Sequence, residues 1–309
     1  DLAPFGLNAS QEEAVRAALS EPAVLVHGPP GTGKTRTAAA LALAFARRNV
    51  ARHARACVLY AAPGNQAVDV AVEAIASLSV QRLEDLFRTQ NAESETCCIC
   101  WGEGCNVITL CGHVFHRHCL TQALRAARGA ERRCPLCRAA LKSLDGVRLL
   151  RVFSGDTERL DFPVPRRHRY GGVRERRRRA VPEGMRRFAL HWRIHNRVPG
   201  HHNPHAAECE AAYAALLGAT PGAGLEEARA RYGQARERAR AHELRSCDVL
   251  LLTSCSSRRG WLLEVLRREG VELRQVVLDE AGTATEPEAL CPLTLSGHAE
   301  RVVLVGDHR

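Results

Sequence analysis

Lysine is nearly absent. Lys and Arg together number 44 in 309 residues, and only two of them, Lys34 and Lys142, are lysines. Positive charge therefore rests on arginine, and a lysine inside a motif is not an accident of composition. No run approaches the roughly 18 apolar residues that a membrane-crossing helix needs, so no membrane partner is expected. The first residues, Asp1-Leu2-Ala3-Pro4, lack a basic segment followed by an apolar one, so no secretory signal is visible and a cytoplasmic or nuclear location is expected. They also lack an initiating Met, and the chain is expected to be a fragment. Apolar residues are not scarce. At 45% they allow a buried core, and the length suits about two domains.

The arginine excess leaves a net charge of +10 and a pI near 9.2. That balance favours an anionic partner, most simply nucleic acid. Of 13 cysteines, eight lie from Cys97 to Cys137, interleaved with histidines. Without a secretory signal, metal binding in a reducing compartment fits them better than disulfides.

Gly28-Pro29-Pro30-Gly31-Thr32-Gly33-Lys34-Thr35 has the spacing G-x-x-x-x-G-K-T of a phosphate-binding loop. Successive backbone N–H groups of such a loop converge on phosphate oxygens, and the following helix turns its positive end to the same charge. Lys34 is expected to reach the outer phosphates, and Thr35 to give a hydroxyl to Mg²⁺. Ala23 to Val26 reads as a strand before the loop and Thr37 to Arg47 as a helix after it. Chance would produce this match roughly once in a thousand chains of such composition.

Strand and helix alternate through residues 1–90: a helix over Gln11 to Leu19, strands at Ala23 to Val26 and Cys57 to Ala61, helices at Lys34 to Arg48 and Asn65 to Leu78. This is the pattern of a parallel sheet with crossover helices. Clustered Cys and His interrupt it over residues 91–142. It resumes over 143–309, with strands at Val147 to Phe153, Asp248 to Thr253, Gln275 to Leu278 and Arg301 to Val305, and a helix at Leu225 to Leu244. The middle segment therefore reads as an insert in one sheet domain. Val276-Val277-Leu278 carries Asp279 and Glu280 at its end, where open α/β sheets bind ligands. Asp279 is expected to hold Mg²⁺ and Glu280 to act as general base on the attacking water, with Lys34 the third catalytic residue.

The insert carries Cys97-x2-Cys100, Cys111-x-His113, His116-x2-Cys119 and Cys134-x2-Cys137. Eight ligands in four pairs suit two tetrahedral Zn²⁺ ions. Such a small module should not fold without metal. Cys98, Cys105 and His118 fall outside the ladder and are expected to be bystanders.

The motifs resemble superfamily-1 helicases of the up-frameshift type, in the helicase-with-zinc-finger group. Leu7-Asn8-x-x-Gln11-x-x-Ala14-Val15 is similar to the motif that reads adenine, which assigns Gln11 to the ATP base. Ala62 to Asp69 (APGNQAVD) and Leu251 to Cys255 are similar to segments that touch the nucleic-acid strand. Asp279 to Glu288 is similar to the acidic motif, and Val305-Gly306-Asp307-His308-Arg309 to the start of the sensor motif, which places Gly306 and Asp307 near the nucleotide. The resemblance implies an α/β fold, a RecA-like P-loop NTPase parallel sheet with an inserted small zinc-binding RING module. It implies ATP and Mg²⁺ as cofactors, and an ATP-dependent helicase acting on nucleic acid, with RNA expected. Family members close ATP between two RecA-like domains. The chain supplies the first, so the 309 residues alone are expected to hydrolyse ATP negligibly.

The zinc ladder resembles a RING finger. Its cross-brace would place Cys97, Cys100, His116 and Cys119 on one zinc and Cys111, His113, Cys134 and Cys137 on the other. RING fingers recruit ubiquitin-conjugating enzymes, and Ile99, Pro135, Leu136 and Arg138 match the usual contact positions. Ala123 departs from them, standing where many RINGs place a tryptophan, so a purely structural module stays open. The alternative for the whole chain is a ubiquitin ligase or adaptor whose RecA-like half only binds nucleic acid. Arg166 to Arg187 holds ten arginines against two glutamates. It reads either as a solvated basic loop or as a contact to the phosphate backbone, with Tyr170, Phe188 and Trp192 available to stack on bases. Charges of the later helix (Glu226, Glu227, Arg229, Arg231, Arg236, Glu237, Arg238) read as paired surface residues.

Overall fold

A computed structural model describes residues 5–51, 56–78, 87–109, 112–126, 133–138, 147–165, 180–199, 201–220 and 222–307. Cys111, Tyr170, Arg166 to Arg179, His308 and Arg309 lie outside the described residues.

In chain order the elements begin with α1 (Ala9–Ser20), β1 (Ala23–His27), α2 (Lys34–Ala51), β2 (Ala56–Ala62) and α3 (Asn65–Leu78). Then come β3 (Phe87–Thr96), β4 (Glu103–Thr109), β5 (Val114–Phe115) and α4 (Arg117–Ala126). The rest runs β6 (Leu149–Val152), α5 (Gly155–Asp161), α6 (Glu183–Arg186), α7 (Leu190–Arg193), α8 (Ala206–Gly218), α9 (Ala223–Ser246), β7 (Val249–Thr253), α10 (Gly260–Arg268), β8 (Glu272–Leu278), α11 (Glu286–Ser296) and β9 (Arg301–Gly306). Two compact units result: Asp1–Leu78 with Arg148–Arg309, and Ser79–Val147.

The first unit is a RecA-like α/β fold. Its six strands lie in the order β1-β9-β8-β2-β7-β6, and every neighbouring pair is parallel. Both faces of such a sheet are covered, so its central strands are apolar throughout. All of β2 and β7 is buried. On α2, Ala38 to Leu43 is fully enclosed, as expected of a helix apolar on every side. Because the strands run the same way, the segments that leave β1, β2, β7, β8 and β9 meet along one edge of the sheet.

Polar ties between distant segments brace the sheet and its helices. Asn49 of α2 and Gln275 of β8 exchange side-chain amide hydrogen bonds at 2.8 and 3.2 Å inside the core. Arg151 of β6, wholly buried, donates to Asp69 at 3.0 Å and to Asn65 at 2.9 Å. A charge out of water needs such partners, and here they pin the first turns of α3 to the sheet.

The second unit is built on the antiparallel order β3-β4-β5. Its junctions, at 78 and 147, lie outside the 91–142 expected for the insert. At the N-terminal side, β3 pairs with β4 and so belongs to this unit, although its stretch Asn91 to Thr96 is polar and carries no Cys or His. The described core of this unit is small: Cys97, Cys105, Val107, Phe115, Leu120, Leu124 and Cys134.

Candidate functional site

The phosphate loop joins β1 to α2. Asn8 caps α1 through a capping box, its side chain accepting from Gln11 N while Gln11 Oε1 accepts from Asn8 N at 3.1 Å. That leaves the Gln11 Nε2 donor free to reach the Thr32 carbonyl of the loop, also at 3.1 Å. Gly33 is left-handed, at φ +84°, a conformation that favours glycine, and a Cβ there would lie 2.6 Å from Gln11 Nε2 and push that amide aside. Lys34 Nζ donates to the carbonyls of Gly28 at 2.6 Å and Pro29 at 3.0 Å. The ammonium thus lies within the curve of its own loop.

Asp279 follows β8 directly, and its backbone N–H continues the ladder to the Ala61 carbonyl. Its carboxylate is 1% exposed and accepts from the Tyr60 hydroxyl at 2.7 Å and from the Glu280 N–H at 2.9 Å. Burial raises its pKa above the usual carboxylate range. The Tyr60 hydroxyl, the Glu280 N–H, the Thr35 hydroxyl and the Lys34 charge work against that rise. Lys34, Thr35 and Asp279, distant in sequence, are therefore brought to one place. Burial, with the Asp279 charge beside it, in turn pushes the Tyr60 phenol well up, so it remains a donor.

Glu280 is left-handed at φ +56°, uncommon for a residue with a side chain. This turns the chain sharply out of β8 into a 3-10 turn, Ala281–Thr283. A Cβ on Gly282 would overlap the Asp307 carbonyl, so the acidic motif is seated against the end of β9. The Gly306 carbonyl accepts from the Gly28 N–H at 3.4 Å, and Asp307 stands 3.8 Å from His27. Gly306 and Asp307 thus lie beside the loop. An open cleft of about 430 Å³ runs from Thr35 and Glu280 along Pro63, Gly64, Gln66, Ala67 and Val70. A second, of about 480 Å³, is lined by Gln11, Ala14, His27, Gly28 and Thr32.

Composition and spacing did not point to Tyr60. Its signal was a lone hydroxyl in the apolar strand Cys57 to Ala61. Trp192 takes a packing role in place of a free stacking one: its N–H donates to Asp161 at 2.9 Å and Arg186 lies over its ring at 4.3 Å. Arg187 lies over Phe188. On α9, Arg229 and Arg231 pair with Glu226 and Glu227, but the same helix also buries Arg240 and Glu243, which a reading of surface pairs did not anticipate.

In the second unit the ligand atoms of Cys97, Cys100, His116 and Cys119 all lie within 4.8 Å of one another, and so do those of His113, Cys134 and Cys137. Sulfur and imidazole nitrogen in these sets are the donors zinc prefers. Cys111, the fourth ligand expected of the second set, lies outside the described residues. His116 Nδ1 approaches Cys100 and Cys119 at 3.2 and 3.9 Å, while its Nε2 bonds the Glu103 carbonyl at 2.9 Å, the outer contact that orients a ligating histidine. Cys105 packs in the core instead of joining a ligand set, with Cys98 against it. Both sets fit zinc, whose bonds would join the turn after β3, the residues on either side of β5, α4 and the Cys134 to Cys137 turn.

A phosphate loop and a buried acidic strand end on one edge of a parallel sheet define a P-loop nucleotide-binding protein. Comparison with known proteins narrows the class. The chain matches the AAA domain family over residues 6–98 and 222–309 and the Ring finger domain over 95–138. It belongs to that AAA family, in the up-frameshift branch of superfamily-1 helicases, and carries a RING finger. It is 29% identical over 320 residues to the 3'-5' exoribonuclease HELZ2 of Homo sapiens, across 98% of this chain and 8% of that protein. It is 51% identical over 70 residues to the ATP-dependent helicase upf1 of Schizosaccharomyces pombe, across 22% of this chain and 8% of that protein. A Regulator of nonsense transcripts 1 homolog of Arabidopsis thaliana is 39% identical over 88 residues, 28% of this chain and 7% of its own length. The chain thus spans about 8% of the length of the first of these relatives. Among the described residues, no helix is long and apolar enough to cross a membrane.

Proposed function

We propose that this chain is the ATP-binding part of an ATP-dependent helicase acting on RNA. The observation that carries the reading is the approach of Lys34 and Thr35 to the buried Asp279. Gly28 to Gly33 would cradle the phosphates with backbone N–H groups, Lys34 would hold their outer oxygens, and Gln11 would read the base from the adjoining cleft. Thr35 and Asp279 would hold Mg²⁺, which when bound offsets phosphate charge. Glu280 would take a proton from the attacking water. The cleft toward Pro63 to Val70 gives the strand a place beside the same edge, and the chain's charge of +10 suits a polyanion. Binding of a fluorescent ATP analogue with Mg²⁺ tests this. Lys34→Ala and Asp279→Asn should each weaken it at least tenfold without lowering the melting temperature. Equal binding by all three proteins would reject the ATP site and leave the adaptor reading. RNA and DNA oligonucleotides of one sequence, titrated in parallel, decide the strand.

A second reading concerns the RING. We propose that it docks a ubiquitin-conjugating enzyme. Ile99 and Leu136, on its two knuckles, are exposed at 37% and 54%, where solvent gives large apolar groups no reward. An autoubiquitination assay with a panel of conjugating enzymes should show activity that Ile99→Ala abolishes. Silence across the panel would favour a structural zinc module.

A further inference from the structure

We propose that a pocket among α5, α7 and α9 of the α/β unit, separate from the phosphate loop, binds a small tetrahedral oxyanion of the inorganic phosphate kind. The cavity measures about 160 Å³ and is lined by Arg159, Arg236, Arg240, Arg259 and Glu158 among others. Four guanidinium groups line it with one carboxylate, and of the four Arg159 also pairs with Asp156 at 3.1 Å. Glu158 accepts from Arg240 at 3.0 Å and from Arg259 at 2.7 and 3.2 Å, so the acid is already taken by two of the arginines. His195, on the same wall, adds no charge. Burial pushes it down to about 4, and its two nitrogens are engaged by Glu210 and the Tyr232 hydroxyl.

The donors are in surplus as well as the charge. Arg240 Nε and Trp261 Nε1 are buried without a hydrogen-bond partner among the described residues. Both side chains line the cavity. Arginine and indole N–H groups can only donate, and a buried donor left without an acceptor costs about 1–3 kcal/mol. The Arg240 guanidinium lies 4.0 Å over the Trp261 ring, which holds both in place. Arg240 is 5% exposed and cannot turn to solvent for a partner. A guest that only accepts, and is negative, completes such a pocket. A cation is excluded by the charge. A whole nucleotide is excluded by the volume, which holds an oxyanion and a few waters. Planar recognition of phosphate oxygens is what guanidinium groups do well.

Calorimetric titration of zinc-loaded protein with inorganic phosphate tests this, at constant ionic strength held with chloride. The protein carries Lys34→Ala, so that the phosphate loop does not contribute. Saturable binding and a raised melting temperature are expected. Arg236→Gln removes a half-buried charge without emptying the core and should weaken binding at least tenfold, and Trp261→Phe, which keeps an aromatic face under Arg240 and loses the N–H, should weaken it severalfold. Absence of saturable heat, unchanged affinity in Arg236→Gln, or a crystal structure grown from phosphate that shows only water in the pocket would overturn the proposal. The ATP site is judged separately, because Lys34 is absent from every arm.

Discussion

The two units of this chain are held in opposite ways. In the α/β unit, β2 and β7 are buried end to end and the nucleotide residues sit on a sheet that apolar burial already supports. In the RING unit the described core has seven residues, and two of them, Cys97 and Cys134, are expected zinc ligands. One unit carries its site on a finished fold; in the other the site is a large part of the fold. Ligand removal should therefore disarm the first and dismantle the second.

The largest expected effect is on the zinc unit. A structural zinc contributes roughly 10–16 kcal/mol of apparent binding energy to small modules. Chelation should collapse hydrogen-exchange protection over residues 95–138 while β2 and β7 keep theirs. Protection that survives in the RING would break the contrast. Next comes Gly282→Ala in the α/β unit. A methyl forced against the Asp307 carbonyl should cost about 2–3 kcal/mol by urea unfolding, with the RING's exchange unchanged; an unmoved midpoint would show that β9 and the acidic turn yield easily.

Tyr60→Phe should cost about 1–2 kcal/mol at neutral pH and should act on the site through charge. The Tyr60 hydroxyl favours the ionised form of Asp279. Its loss raises the carboxyl further, so Mg²⁺-dependent nucleotide affinity, which needs the ionised form, should start to fall at a higher pH than in the parent. The stability cost should shrink in acid, where Asp279 is protonated in both proteins. Coincident pH profiles would refute this. The smallest effect belongs to Asn8→Ala. Loss of the Asn8 side-chain cap should cost about 1 kcal/mol by thermal unfolding, because the Gln11 N–H loses its acceptor, whereas no change would show that packing alone holds the start of α1.

Several features were legible because they are local. A strand, a glycine-rich loop and an Ala/Leu-rich helix are neighbours in the chain, and α3 spans Asn65–Leu78 as its periodicity suggests. The zinc pairs announce themselves by spacing. β3 was not legible, because Asn91 to Thr96 owes its strand to pairing with β4 and not to an apolar pattern. Buried Arg240 and Glu243 looked like any other charges on an Arg/Glu-rich helix, since their partners come from α5, α7, the segment before α8 and the start of α10.

Sequence alone determined the chemistry on offer: a loop of backbone amides with one of only two lysines, a paired acid after an apolar strand, and sulfur and imidazole at zinc spacing. Each is set by residues a few positions apart. The tertiary structure decided which groups meet. Parallel pairing of β8 beside β2, and of β9 beside β1, brings Asp279 to Lys34 and Tyr60 across more than 200 residues. It also leaves donors of α9 and α10 around one cavity without acceptors. Those meetings depend on strand register and on long-range burial, which no short stretch of chain specifies.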